Sequence, residues 1–189
     1  SRGLGDVYKR QEGDRGILHW VSEILWREFY RHIIYNFPKV SKNKPFLDYT
    51  DKMVWSDNRV FFEAWKKGRT GIPIVDAGIR EMLSTGWMHN RTRMIVAMFL
   101  SKNLLIDWRW GEEFFMNNLI DGDIASNNGG WQWSASTGTD AAPYFRIMNP
   151  MTQSERFDPE GKYIRTWIPE LKNCPTKDIH LPSNPESYD

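Results

Sequence analysis

The chain has 189 residues with 25 Lys and Arg against 24 Asp and Glu, and a formal net charge of +1 excludes a generally basic nucleic-acid coat or an acidic tail. A single Cys174 and 4 His in no cluster exclude an intrachain disulfide and a structural zinc site, and the longest apolar run, Met94 to Leu100, is far short of the roughly 20 residues that span a bilayer. The outlier is aromatic content, 14% with 10 Trp, more indole than a core requires.

Ser1 to Gln11 shows neither a helical period nor the apolar core of a secretion signal, so residues 1–12 are expected to be a leader outside the folded domain, disordered or foreign to it. From Ile17 to Ile34 the apolar positions Ile17, Val21, Ile24, Leu25, Phe29 and Ile33 recur at helical spacing and predict an amphipathic helix with that face buried. Its other face carries Glu23, Trp26, Arg27 and Tyr30 at i, i+3, i+4 and i+7, a stripe suited to a flat, phosphorylated ligand. Pro38 stops the helix, and Arg31, Lys39, Lys42 and Lys44 follow with no acid among them, which predicts a local basic patch.

Asn58 to Lys67 reads as a helix ended at Gly68, and Pro73 opens another that runs to Thr85 before Gly86. Asn90 to about Ile106 follows, and its centre, Met94 to Leu100, is apolar all round, which predicts a buried helix. Arg91 and Arg93 at its start oppose the helix dipole by about 0.3–1 kcal/mol each, a cost that a bound anion or a paired carboxylate relieves. Glu112 to Leu119 predicts one more helix, and Asp121 to Trp131 a tight connection of acids, amides and glycines. Past Pro169, three further prolines predict an extended polar tail over 172–189. No run alternates as a strand does, so the fold class read from the pattern is all-α, with one domain over 13–171.

Common catalytic signatures are absent: no G-x-S-x-G elbow, no H-E-x-x-H pair and no G-x-x-x-x-G-K loop. Asp121 and Asp123 around a lone glycine are more often turn chemistry than an acid/base pair. Trp55, Trp108, Trp110, Trp131 and Trp133 are each explained as core residues, while together they offer easily oxidised rings that can pass an electron from a buried cofactor to the surface.

Four stretches carry a family resemblance: Trp20-Val-Ser-Glu-Ile-Leu-Trp-Arg-Glu-Phe-Tyr-Arg-His32, Thr70-Gly-Ile-Pro-Ile-Val-Asp-Ala77, Gly86-Trp-Met-His-Asn-Arg-Thr-Arg-Met94, and Asp121 to Pro150 with its Asn127-Asn-Gly-Gly-Trp-Gln-Trp133 core. Over roughly Gly13 to Leu171 the chain resembles the photolyase/cryptochrome family, and within it the class I cyclobutane pyrimidine dimer photolyases of bacterial type. The resemblance implies the helical FAD-binding domain, in which light-excited reduced flavin donates an electron to a thymine dimer, splits its cyclobutane ring and recovers the electron. It implies Trp20, Arg93, Asp121, Gly122 and Asp123 around FAD, with Asn127 beside flavin N5. Glu23, Trp26, Arg27, Tyr30, Asn90, Arg91, Met94 and Trp133 are implied to hold a flipped-out lesion or its DNA backbone, Glu23 by hydrogen bonds to a pyrimidine edge. Trp131, Trp108 and Trp55 are implied as the photoreduction relay from flavin outward.

The partner implied is DNA containing pyrimidine dimers, the enzyme a monomeric carbon–carbon lyase of the bacterial cytoplasm, at the nucleoid when bound. The resemblance does not extend to the family's N-terminal α/β antenna domain, to its Thr-Ser-x-Leu-Ser segment or to its last helices. The chain is therefore expected to be an internal fragment, with the second, antenna chromophore of the full-length protein bound elsewhere. A cryptochrome-type blue-light receptor is the competing reading. Six-four photolyases and animal cryptochromes usually carry His where this chain has Asn90 and Met94, and plant cryptochromes tend to carry Asp at the Asn127 position. A non-catalytic DNA-binding module using the Arg31 to Lys44 patch is the third.

Overall fold

Helix boundaries in this chain are set by side chains that take up otherwise unpaired backbone groups. The computed structural model describes residues 13–139 and 146–183, and every long element among them is helical. The leader, residues 1–12, lies outside them. The β structure among the described residues is one isolated parallel bridge, Ser56 to Ile106.

Helix α1 (Gly13–Asn36) stops just before Pro38, which cannot donate to the helix ladder. Its apolar stripe is not buried as the spacing predicts: Ile17, Val21, Leu25 and Phe29 are exposed, Leu25 by 64%, and no residue of α1 with a described side chain falls in the core. The reason is that α1 meets the rest of the chain through its C-terminal half, where Tyr30, Ile33 and Ile34 close a small crevice with Val40, Phe46 and Gly129. Two short 3-10 turns, Pro38–Lys42 and Asp48–Lys52, lead on to α2 (Arg59–Lys66), whose cap Asn58 accepts a hydrogen bond from Phe61 N–H.

Helix α3 (Pro73–Thr85) begins where Asp76 accepts three hydrogen bonds, from Thr70 N–H and Oγ1–H at 2.7 Å and Gly71 N–H at 2.9 Å. It ends at Gly86, whose φ of +72° is the left-handed conformation that glycine adopts without a Cβ penalty. Helix α4 (Asn90–Met98) runs straight into a π-helical turn, Phe99–Asn103, in which Leu104 N–H reaches back to Phe99 O at 3.0 Å. The helix expected to reach Ile106 therefore widens and stops short, while Ile95 to Leu100 are buried as predicted.

Asp107 caps α5 (Trp108–Asn118), which starts a full turn before the expected Glu112. Asp123 caps α6 (Ile124–Ala135), so most of the stretch read as a connection is helix, and only residues 119–123 form the turn. Helices α7 (Pro150–Phe157) and α8 (Lys162–Trp167) and a 3-10 turn (Pro169–Leu171) complete the order. Residues 172–183 are not an extended surface tail: Cys174, Ile179 and His180 are buried, and His180 Nδ1 lies 2.7 Å from the buried Ser154 Oγ. Apolar burial outweighs the prolines there. The core joins α3, α4 and α5 around the fully buried Trp65, Trp108 and Trp131, with α8 packed on α3 and α6 on α5.

Candidate functional site

The turn between α5 and α6 gathers charge from three directions. Asp121 receives both bonds of a fork from Arg93 Nη2, at 2.9 and 2.8 Å, while Arg93 Nε–H donates to Met88 O at 2.7 Å. The carboxylate partner called for by a cation at the start of α4 is thus supplied by the Asp121 turn. Asp123 uses Oδ1 to cap Ala125 N–H at 3.1 Å, and its Oδ2 is buried with no hydrogen-bond partner among the described residues, with Arg31 Nε of α1 4.0 Å away. A Cβ on Gly122 would lie 3.2 Å from Leu119 O, a tight contact with the turn's own backbone, and 3.5 Å from Met116.

One turn along α6, Asn127 N–H donates to Asp123 O at 2.8 Å and its Nδ2 donates to Glu112 O at 2.9 Å. That fixes the amide with its Oδ1 left to accept. Behind it, Asn128 donates to Glu112 Oε1 at 2.8 Å and Gln132 donates to Asn128 Oδ1 at 2.9 Å, a polar spine between α5 and α6. Burial raises the Glu112 carboxyl above the usual range, while the Asn128 bond and the Arg109 charge oppose that rise.

Helix α1 contributes an aromatic face. Trp26 packs edge-on to Phe29 at 5.5 Å and tilted on Tyr30 at 6.0 Å, and Tyr30 presses against Gly129 of α6, where a Cβ would stand 2.1 Å from its ring. Trp20, Glu23 and Arg27 are exposed on the same helix, and Arg27 reaches Glu28 at 3.5 Å. Asn90 is the exposed first residue of α4, Arg91 lies over the Phe157 ring at 4.7 Å, and Met94 and Trp133 are half-buried. The basic patch is largely neutralised: Arg31 pairs with Glu28 at 3.1 Å, Lys39 with Asp48 at 2.5 Å and Lys44 with Asp51 at 2.9 Å. Asp48 and Asp51, only 9 and 7 residues on from Lys39 and Lys44, fold back across it, so the patch carries less net charge than its own residues suggest.

Trp131 and Trp108 are buried and Trp55 is half-buried, and among the described residues none of the three stacks on another. The bridge of Ser56 to Ile106, with Ser56 N–H donating to Leu105 O at 2.7 Å, brings the backbone of Trp55 beside that leading to Trp108. Trp131 keeps a buried Nε1–H with no acceptor among the described residues and meets Phe115 at 4.9 Å and Trp65 at 6.1 Å, both edge-on. Sequence reasoning missed Trp65, although Phe62 and Trp65 share one face of α2, and assigned Arg31 to the basic patch, whereas it stands 4.0 Å from Asp123 and extends the stripe of Glu23 and Arg27 by another turn.

The family model described as the FAD binding domain of DNA photolyase matches residues 20–189. The chain belongs to this photolyase FAD-binding family. It is 61% identical over 181 residues to the deoxyribodipyrimidine photo-lyase of Escherichia coli (strain K12), covering 96% of this chain and 38% of that protein. Among solved structures, a bacterial class III photolyase from Agrobacterium tumefaciens superposes with a TM-score of 0.87 at 46% identity, covering 99% of this chain and 38% of the other. A cryptochrome from Synechocystis sp. PCC6803 gives 0.83 at 44% identity, covering 92% and 36%. The chain thus spans less than two-fifths of the photolyases it matches. All-helical architecture agrees with the family.

The residues present fit the group that gives the photolyase FAD-binding family its name. Arg93 offers a fixed cation, Asp123 Oδ2 a buried acceptor with no hydrogen-bond donor among the described residues, and Asn127 Oδ1 an amide acceptor, on the α4 start, the α5–α6 turn and the first turn of α6. An isoalloxazine edge carries the N–H donors that such acceptors need.

Proposed function

We propose that this chain forms part of the FAD- and lesion-binding domain of a deoxyribodipyrimidine photolyase, which splits cyclobutane pyrimidine dimers in DNA under light. The observation that carries this reading is the Arg93–Asp121 fork on the turn that also holds Asp123 Oδ2, because a buried carboxylate oxygen with no hydrogen bond among the described residues and only Arg31 Nε at 4.0 Å is costly unless a ligand completes it. FAD, when bound, supplies light-driven transfer of one electron. Arg93 then balances negative charge on the cofactor, the Asp121-Gly-Asp123 turn orients its edge, and Asn127 holds a proton in place by accepting it at Oδ1. Trp20 covers the cofactor from α1.

On the lesion side, Trp26 stacks on an everted pyrimidine. Such stacking is worth about 1–3 kcal/mol per base and offsets the few kcal/mol of unstacking, which is least for a damaged step. Trp133 is assigned the same work from α6. Glu23 hydrogen-bonds a pyrimidine edge, and Arg27, Tyr30, Asn90, Arg91 and Met94 line the approach of the flanking backbone. Trp131, Trp108 and Trp55 pass an electron inward from the surface. The partner is dimer-containing DNA, the protein acts as a monomer in the bacterial cytoplasm, and the antenna chromophore binds outside this chain.

The decisive experiment is light-dependent repair. Reduced, flavin-loaded protein containing this chain, mixed with a dimer-bearing oligonucleotide, is expected to release intact thymines under blue light. Binding of the damaged strand with no repair would establish a light receptor or binding protein instead.

A further inference from the structure

Glu81, on the third turn of α3, has 8% of its surface exposed. Its carboxylate accepts the Tyr163 hydroxyl at 2.6 Å and the backbone N–H of His89, and it feels the charge of Arg93. Burial raises the Glu81 carboxyl above its ordinary range, and those three partners draw it back. Burial, and then the Glu81 carboxylate, push the Tyr163 phenol far above its usual value, so this hydroxyl stays protonated and donates.

The loop 86–89 that Glu81 grips is a common footing for both halves of the Arg93–Asp121 fork. Met88 O receives Arg93 Nε–H at 2.7 Å, and Gly86 O receives the N–H of Ile120, the neighbour of Asp121, at 2.9 Å. Glu81 and Tyr163 tie that footing to α3 and α8. Two donors converge on Glu81, and a carboxylate presents two charged oxygens to them, whereas a glutamine offers one neutral acceptor oxygen and loses the charge facing Arg93.

We propose that Glu81, held by Tyr163, is a positioning residue for Arg93: it fixes the 86–89 loop and offsets the guanidinium charge, so that Arg93 stays aimed at Asp121 and the cofactor side of the turn. Its bearing on catalysis rests on the FAD reading above, whereas the positioning itself is a property of this chain. The test is hydrogen exchange at the Arg93 Nε proton, followed by NMR in the 189-residue chain. The Arg80 Nε proton, bonded to Gly68 O at 3.1 Å with its guanidinium forked onto Glu170, serves as the internal reference.

Glu81→Gln is expected to speed exchange at Arg93 about tenfold and leave Arg80 unchanged, with Tyr163→Phe acting in the same direction by a smaller factor. Should Glu81→Gln fail to fold, Tyr163→Phe carries the same comparison. Equal acceleration at both arginines, or none at Arg93, overturns the proposal. FAD titration of the same variants in a longer photolyase containing this chain separates the two readings. Wild-type protein that holds Arg93 firmly through Glu81 yet takes up no FAD refutes the cofactor reading alone. If FAD binds, the loss of affinity in Glu81→Gln must vanish in an Arg93→Ala background, and its persistence there also overturns the proposal.

Discussion

Adjacent glycines in α6 have opposite roles. A Cβ on Gly129 would meet the Tyr30 ring at 2.1 Å, whereas nothing among the described residues lies within 4 Å of one on Gly130. Gly129→Ala is therefore expected to destabilise the chain by about 1–3 kcal/mol by forcing α1 off α6. Gly130→Ala removes backbone freedom from the unfolded chain with no clash and should stabilise by about 0.5–1 kcal/mol. Urea midpoints of the two variants check this, and a loss of stability in both would show that Tyr30 is not the constraint. The same pair explains why this stretch was misread. Two glycines in sequence resemble a loop, and only the Asp123 cap and the contact with Tyr30 make a helix of it.

Helices α5 and α6 are locked by Glu112, Asn128 and Gln132, and the lock is pH-sensitive in a definite sense. The native Glu112 carboxyl is raised by burial, so over the window between its ordinary value and the native one the folded chain keeps a proton that the unfolded chain has released. Stability from this group is present below that window and is lost as pH rises through it. Glu112→Gln, neutral throughout and still able to accept from Asn128, should gain on the wild type as pH rises above the ordinary carboxyl value, read as a shift in urea midpoint between the two. A constant difference over that rise would refute the assignment. The ends of elements were legible in the sequence where one residue decides them: Asn58, Pro73 and Gly86 stand where they were read. What α1 buries was not legible. A helical stripe says which face is apolar and nothing about which neighbour covers it, and here the packed half of α1 is its C-terminal half.

Across the whole molecule, the tryptophans divide between two roles that composition cannot separate. Trp65, Trp108 and Trp131 are all fully buried, so each serves the core whatever else it does. Trp55, half-buried at the bridge to Ile106, has the exposure expected of the outer end of a relay. Trp55→Phe is expected to leave repair by pre-reduced protein intact and to slow flavin photoreduction, measured by the decay of oxidised flavin absorbance under blue light. Unchanged photoreduction would remove Trp55 from the path. Affinity for damaged DNA should fall steadily with added salt, with each lost phosphate contact reducing the logarithmic slope by roughly 0.9; a flat response would leave Arg27 and Arg91 without a phosphate role. The Arg93–Asp121 juxtaposition spans residues far apart in the chain and was legible through the family motif and the charge left over at the start of α4. The neutralised patch was not, because Asp48 and Asp51 reach Lys39 and Lys44 only after the chain folds. The wide turn at Phe99–Asn103 has a further consequence for the indole at 108. It holds one residue more than an α-turn would, so the segment can absorb the deletion of Lys102 by rewinding as α-helix, with Asp107 kept on its cap and Trp108 in its seat.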